Sequence, residues 1–222
     1  MNRTITVKGI GRLKLRPDQT VVSLSLKTTD RLYDRAMGQA AEQLEQLRTA
    51  LTAVGFSKEE LKTTDLQVGT EYESERDKNG SYRQIFAGYC VRHRMKLEFP
   101  LDTAYLARVL GAIAACIAEP ELEVRFTVKD SEAAGAALLE SACANARARA
   151  ELLARASGVS LARLLSIDYS WGELHLYSPT RYETEDSCMV KACAAPTGIA
   201  IEPDDIDVSD TVTFVWELCA GD

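Results

Sequence analysis

Residues 5–26, ITVKGIGRLKLRPDQTVVSLSL, constrain the fold more than any other part of the chain. Ile5, Val7, Leu13 and Leu15 share the odd positions with Gly9 and Gly11, and Thr6, Lys8, Arg12, Lys14 and Arg16 fill all the even ones but Ile10. Side chains of a strand point alternately to its two faces, so this strand has one apolar and one polar face. A glycine inside a strand leaves room for a bulge or for another backbone to come close. Two of them on the apolar face predict a helix or strand packed where side chains would otherwise stand. Pro17 and Asp18 then predict a turn, and Val22, Leu24 and Leu26 resume the alternation on a second strand, as a hairpin or a corner. A phosphate-binding loop is excluded, because it needs a longer glycine-rich run opening a helix.

The remaining segments alternate irregularly between helix and strand. Asp30 is placed to cap a helix whose apolar positions are Tyr33, Met37, Ala40, Leu44, Leu47, Leu51 and Val54, ended by Gly55. Strands from Lys62 and from Tyr82 flank DKNG, a strong turn signal, and predict a hairpin. A second helix opens at Pro100 and Asp102, buries Leu106, Val109, Leu110, Ile113 and Ile117, and stops at Pro120. Leu122, Val124, Phe126 and Val128 alternate as a strand. Asp130 or Ser131 caps a third helix reaching about Ser157, with Gly158 after it. Its stripe of Leu138, Ala142, Ala146, Ala150 and Leu153 is narrow enough to lie flat on a sheet. Strands are expected from Leu161 to about Tyr177, and again over the closing DIDVSDTVTFVWEL.

This pattern predicts an α+β fold: about three long helices packed on curved, antiparallel-rich sheet. All 222 residues suit one domain, with two subdomains, 1–99 and 100–222, as the alternative. Residues 178–197 lack a sustained period and predict an irregular loop. Loops of that length in compact domains are commonly functional. Tyr182, Met189 and Val190 are its candidate interaction residues.

The chain carries a net charge of −7. With no basic cluster, it is unsuited to nucleic acid, whose phosphates must be neutralised. The longest apolar run, 109–118, is well short of the ~20 residues of a spanning helix. Six cysteines form no C-x-x-C pair. Cys116 and Cys143 fall in helical apolar patterns, and Cys90 and Cys219 in strand patterns. No signal peptide is visible, which predicts reduced thiols and a cytoplasmic protein. A periplasmic or extracellular place would follow if the sequence is a processed form. Cys188 and Cys193 are the pair to watch for redox or metal chemistry.

No catalytic constellation emerges, and no cofactor is expected. His93 and His175 stand apart from other ligand types, and G-x-S-x-G is absent. Glu71, Glu73, Glu75 and Asp77 bracket the hairpin tip as a solvated face. Asp204, Asp205, Asp207 and Asp210 lack the glycine and the distal glutamate of an EF-hand. Arg147, Glu151 and Arg155 lie four residues apart on one helix face, as solvated ion pairs or a docking face. Trp171, Tyr177 and Tyr182 border the irregular segment.

The order of motifs carries a resemblance. ITVKGIGRLKLRPD is followed by a long helix, LKTTDLQV, AGYCVRHRMKLEF, an Ala/Arg-rich helix running into ASGVSLARLLSI, and IEPDDIDVSDTVTFVWEL. The set resembles the SIMPL-domain family of YggE-like and periplasmic immunogenic protein-like proteins, over nearly the whole chain. The resemblance implies mixed α/β structure and, for some members, export and large homo-oligomers. One animal member is named for associating with a pelle-like kinase, and bacterial members are linked to oxidative-stress tolerance. It supplies no agreed catalytic residues. The expectation is a non-enzymatic protein acting by self-association or by binding a protein partner. The alternative is a small-ligand-binding protein or enzyme with a pocket of scattered residues.

Overall fold

The computed structural model describes residues 3–76, 82–170, 172, 174–183 and 201–220. Among them are eight strands and three helices. In order these are β1 (Thr4–Leu15), β2 (Gln19–Asp30), α1 (Tyr33–Ala53), β3 (Lys62–Arg76), β4 (Tyr82–Pro100), α2 (Thr103–Ala114), β5 (Glu121–Thr127), α3 (Ser131–Ala156), β6 (Val159–Asp168), β7 (Tyr177–Glu183) and β8 (Ile206–Ala220). The fold is α+β, as the pattern predicts. One sheet has the order β1-β8-β6, the other β3-β4-β2-β5-β7. The β1–β8, β6–β8, β2–β4 and β3–β4 pairings are antiparallel.

The chain divides into two compact units, each discontinuous in sequence. One contains residues 1–18, 127–179 and 204–222, the other 19–126 and 180–203. The boundaries therefore do not follow a cut near residue 99. β1 and β2 do not pair as a hairpin, since they enter different sheets. Within the first unit, Asp18 N–H donates to the Thr127 carbonyl at 3.0 Å, and its Oδ1 accepts from Lys129 N at 2.7 Å.

In the first unit α3 lies across the three-stranded sheet. Its buried stripe is Ala134, Leu138, Ala142, Ala146, Ala150 and Ala154. A side chain at Gly9 would run into the Ala142 carbonyl oxygen and come within 2.7 Å of the Ala146 Cβ, and one at Gly11 would strike the Leu138 carbonyl. The two glycines and the alanines are thus one feature, a helix backbone seated on a strand backbone. Val7, Val212, Phe214 and Trp216 complete this core, with the last two rings stacked 5.2 Å apart. Leu153 is not part of the stripe. It is 50% exposed, because the close-packed face turns to Ala154 one residue later. Ala146→Leu is expected to cost about 1–3 kcal/mol through overpacking. An unaltered urea midpoint would show that the face has room for it.

α3 also covers the open edge of β1. Asn145 Oδ1 accepts from Ile10 N at 3.1 Å, Ser141 Oγ accepts from Arg12 N at 3.4 Å, and Arg149 Nη1 donates to the Lys8 carbonyl at 3.4 Å. These residues stand four apart, beside the alanine stripe. An edge strand with unpaired backbone groups is a template for further pairing; here side chains of the helix occupy it.

In the second unit, Val22, Leu24 and Leu26 of β2, Met95, Leu97 and Phe99 of β4, and Val124 and Phe126 of β5 form the sheet side of the core. Leu47 and Leu51 of α1, and Leu106, Val109, Leu110 and Ile113 of α2, close it. Asp102 caps α2 by accepting from Tyr105 N at 2.9 Å, and in the first unit Asp130 caps α3 from Ala133 N at 2.8 Å. Such a cap contributes about 1 kcal/mol. Asp30 is not the cap of α1. It accepts from Leu32 N and bends the chain one step earlier. α2 is shorter than expected: it ends at Ala114, and Ile117 is 83% exposed.

The predicted loop at 178–197 begins as strand, since Ser178 to Glu183 belong to β7. Ser178, Thr180 and Tyr182 are its inward positions, and their polarity hides the alternation. Pro179 is tolerated because β7 lies at the edge of its sheet. No helix among the described residues is long and apolar enough to cross a membrane.

Candidate functional site

Among the described residues of the second unit, the β3–β4 hairpin carries the largest group of exposed apolar side chains. Leu66, Val68, Thr70 and Tyr72 alternate onto one face of β3. Their partners on β4 are His93, Val91, Tyr89 and Phe86. Between Glu71 and Tyr72 the register shifts, leaving Ala87 as an extra residue. Without that bulge, Phe86 and Tyr89 would point to opposite faces, as residues three apart in a strand do. With it, Phe86 packs against both Tyr72 and Tyr89, at ring-centroid distances of 5.8 and 5.5 Å. Tyr89 in turn meets Tyr33 at the start of α1, at 5.7 Å. The result is an aromatic ladder continued by Val68 and Leu66.

α1 covers only the inner part of this face, where Val91 packs against Ala36 and Ala40. Farther out Leu66, Val68, Tyr72 and Tyr82 are 42–76% exposed. β3 is also the terminal strand of its sheet and runs for 15 residues. The opposite face is mostly polar, with Ile85 as its exposed apolar exception. Lys27 Nζ donates to Glu71 at 2.7 Å and Thr29 Oγ1 at 3.2 Å. Those two hydrogen bonds, with Lys27 foremost, hold the Glu71 carboxyl below the usual carboxylate range. The hairpin thus has one solvated face and one sticky face.

The other candidates are distributed as follows. Tyr182 lies on β7, half-buried against the core of the second unit. Met189, Val190, Cys188, Cys193 and Trp171 lie outside the described residues. His93 is buried, with Nε2 2.8 Å from Thr63 Oγ1. Burial foremost, and then the charge of Arg48, lower its pKa. His175 is exposed. Cys90 and Cys116 are buried, whereas Cys143 is exposed on α3, contrary to the apolar pattern read there. All four described cysteines are free. Asp205 pairs with Lys14 at 3.6 Å, and Asp210 accepts from Tyr169 Oη at 2.9 Å. No group of metal-ligating side chains occurs among the described residues. The arrangement offers surfaces for contact rather than a set of reacting groups.

A family model matches residues 5–216: SIMPL, described as a protein of unknown function (DUF541). The chain belongs to the SIMPL family. Two proteins named 26 kDa periplasmic immunogenic protein, from Brucella melitensis and Brucella abortus, are each 24% identical to it over 163 residues. The match covers 73% of this chain and 65% of each relative. The hairpin of this SIMPL chain was only half readable in sequence. The alternation from Leu66 to Tyr72 is visible, whereas the phase break between Phe86 and Tyr89 needs the bulge to explain it.

Proposed function

We propose that this SIMPL protein acts by self-association, with the β3–β4 hairpin as its contact element and no catalytic step of its own. One observation carries the reading: a 15-residue edge strand bears an exposed apolar and aromatic face. Long exposed hydrophobic edges are disfavoured in proteins that work alone, since they pair with other chains. The contrast with β1, whose edge α3 occupies, supports it. A second copy is the favoured occupant because most soluble assemblies are homo-oligomers. The relatives' name supports a periplasmic setting in place of the cytoplasmic expectation. The family resemblance adds bacterial stress tolerance as the context. The test is solution mass by light scattering over a range of concentrations. A multiple of the 24.4 kDa chain mass is expected. A monomer at every concentration would overturn the reading.

A further inference from the structure

The first unit holds a cleft that self-association through the hairpin does not use. α3 sits over β1, where the glycines let it approach, and over β8, and leaves much of the inner side of β6 uncovered. Leu164 and Ile167 of β6 are 44% and 57% exposed. Between the C-terminal half of α3 and β6 lies a cleft of about 570 Å³. That size falls within the range of small-molecule sites. Its apolar lining includes Leu161, Leu164 and the stacked pair Phe214 and Trp216. Its other wall is the α3 face that carries Cys143, Arg147, Glu151 and Arg155, each four residues from the next.

Charge on that wall is not balanced. Arg147 Nε donates to Glu151 at 2.9 Å, which neutralises both. Arg155 is exposed, one turn farther on, and its guanidinium has no ion-pair partner among the described residues. A guanidinium presents a planar fork of donors suited to a carboxylate or sulfonate. We propose that the cleft binds a small amphipathic anion, with its apolar body against Leu161, Leu164 and the Phe214–Trp216 floor and its anionic group on Arg155.

The probe is 8-anilino-1-naphthalenesulfonate, an apolar body carrying one sulfonate, and the readout is local. Alkylation by N-ethylmaleimide is followed cysteine by cysteine with mass spectrometry. Saturating probe is expected to slow alkylation of Cys143, which lines the cleft, and to leave the exposed Cys219, which does not line it, unchanged. Arg155→Gln is expected to raise the probe concentration giving half-protection about tenfold, the scale of one hydrogen bond to a charged group. Arg155→Lys should recover part of that loss. Because Arg155 is exposed, both variants should fold. Equal slowing at Cys143 and Cys219, no slowing at Cys143, or a half-protection concentration unmoved by Arg155→Gln would each overturn the proposal.

Discussion

Replacing Gly11 with valine is expected to lower the unfolding midpoint more than any substitution of an exposed residue. A Cβ at this position would strike the Leu138 carbonyl oxygen and lie 3.1–3.2 Å from Ala142 N and Cβ. The obstacle is helix backbone, which cannot swing aside as a flexible side chain can. α3 must lift from the sheet, and it cannot do so locally. The same helix seats Ala146 against Gly9 and holds the edge of β1 through Asn145 and Ser141. The cost should lie at the upper end for overpacking, about 3 kcal/mol, or roughly 6–12 °C in a chain of this size. Gly38→Ala is the control of opposite sign. Gly38 lies in α1 with nothing within 4 Å of an added Cβ, so the change should stabilise by about 0.5–1 kcal/mol. Thermal unfolding followed by circular dichroism separates the two. A Gly11→Val protein as stable as the parent would mean that α3 does not sit on β1.

The glycines, the alanine stripe and the strands were readable because each shows itself in a period. Gly9 and Gly11 interrupt an alternation of two, and Leu138, Ala142, Ala146 and Ala150 repeat at the spacing of one helix face. The features that escaped are those where the period misleads. Leu153 fits the helical spacing nearly as well as Ala154, and only the closeness of the sheet selects the smaller residue. Ser141, Asn145 and Arg149 are polar residues at one helical spacing, and nothing in that spacing shows that they occupy the edge of β1. β7 has no apolar alternation to show, because its inward positions are Ser178, Thr180 and Tyr182. Partner strands far apart in sequence, such as β1 with β8, leave no local mark at all. The candidate site was less legible than the fold. Exposure on one face of a hairpin depends on how far the neighbouring helix extends, and no periodicity encodes that.

The double variant Tyr72→Lys, Phe86→Lys is expected to abolish self-association while leaving the chain folded. Both residues stand on the same face of the hairpin, directly paired across β3 and β4. They are 54% and 39% exposed, so lysines there can reach water in the isolated chain. In an assembly through this face two ammonium groups would have to be buried without partners, next to their symmetry equivalents. Truncating a central aromatic anchor commonly costs 2 kcal/mol or more, and an unpaired buried charge adds to it. Two such changes should weaken association by about a thousandfold or more. The solution mass should then fall to that of a single chain, with the far-ultraviolet circular dichroism unchanged. Gln67→Lys places one charge on the opposite, polar face of β3 and should leave the mass alone. If the double variant keeps the parent's mass at micromolar concentration, the hairpin is not the contact element. If both variants lose mass equally, charge repulsion between chains rather than burial of this face is responsible.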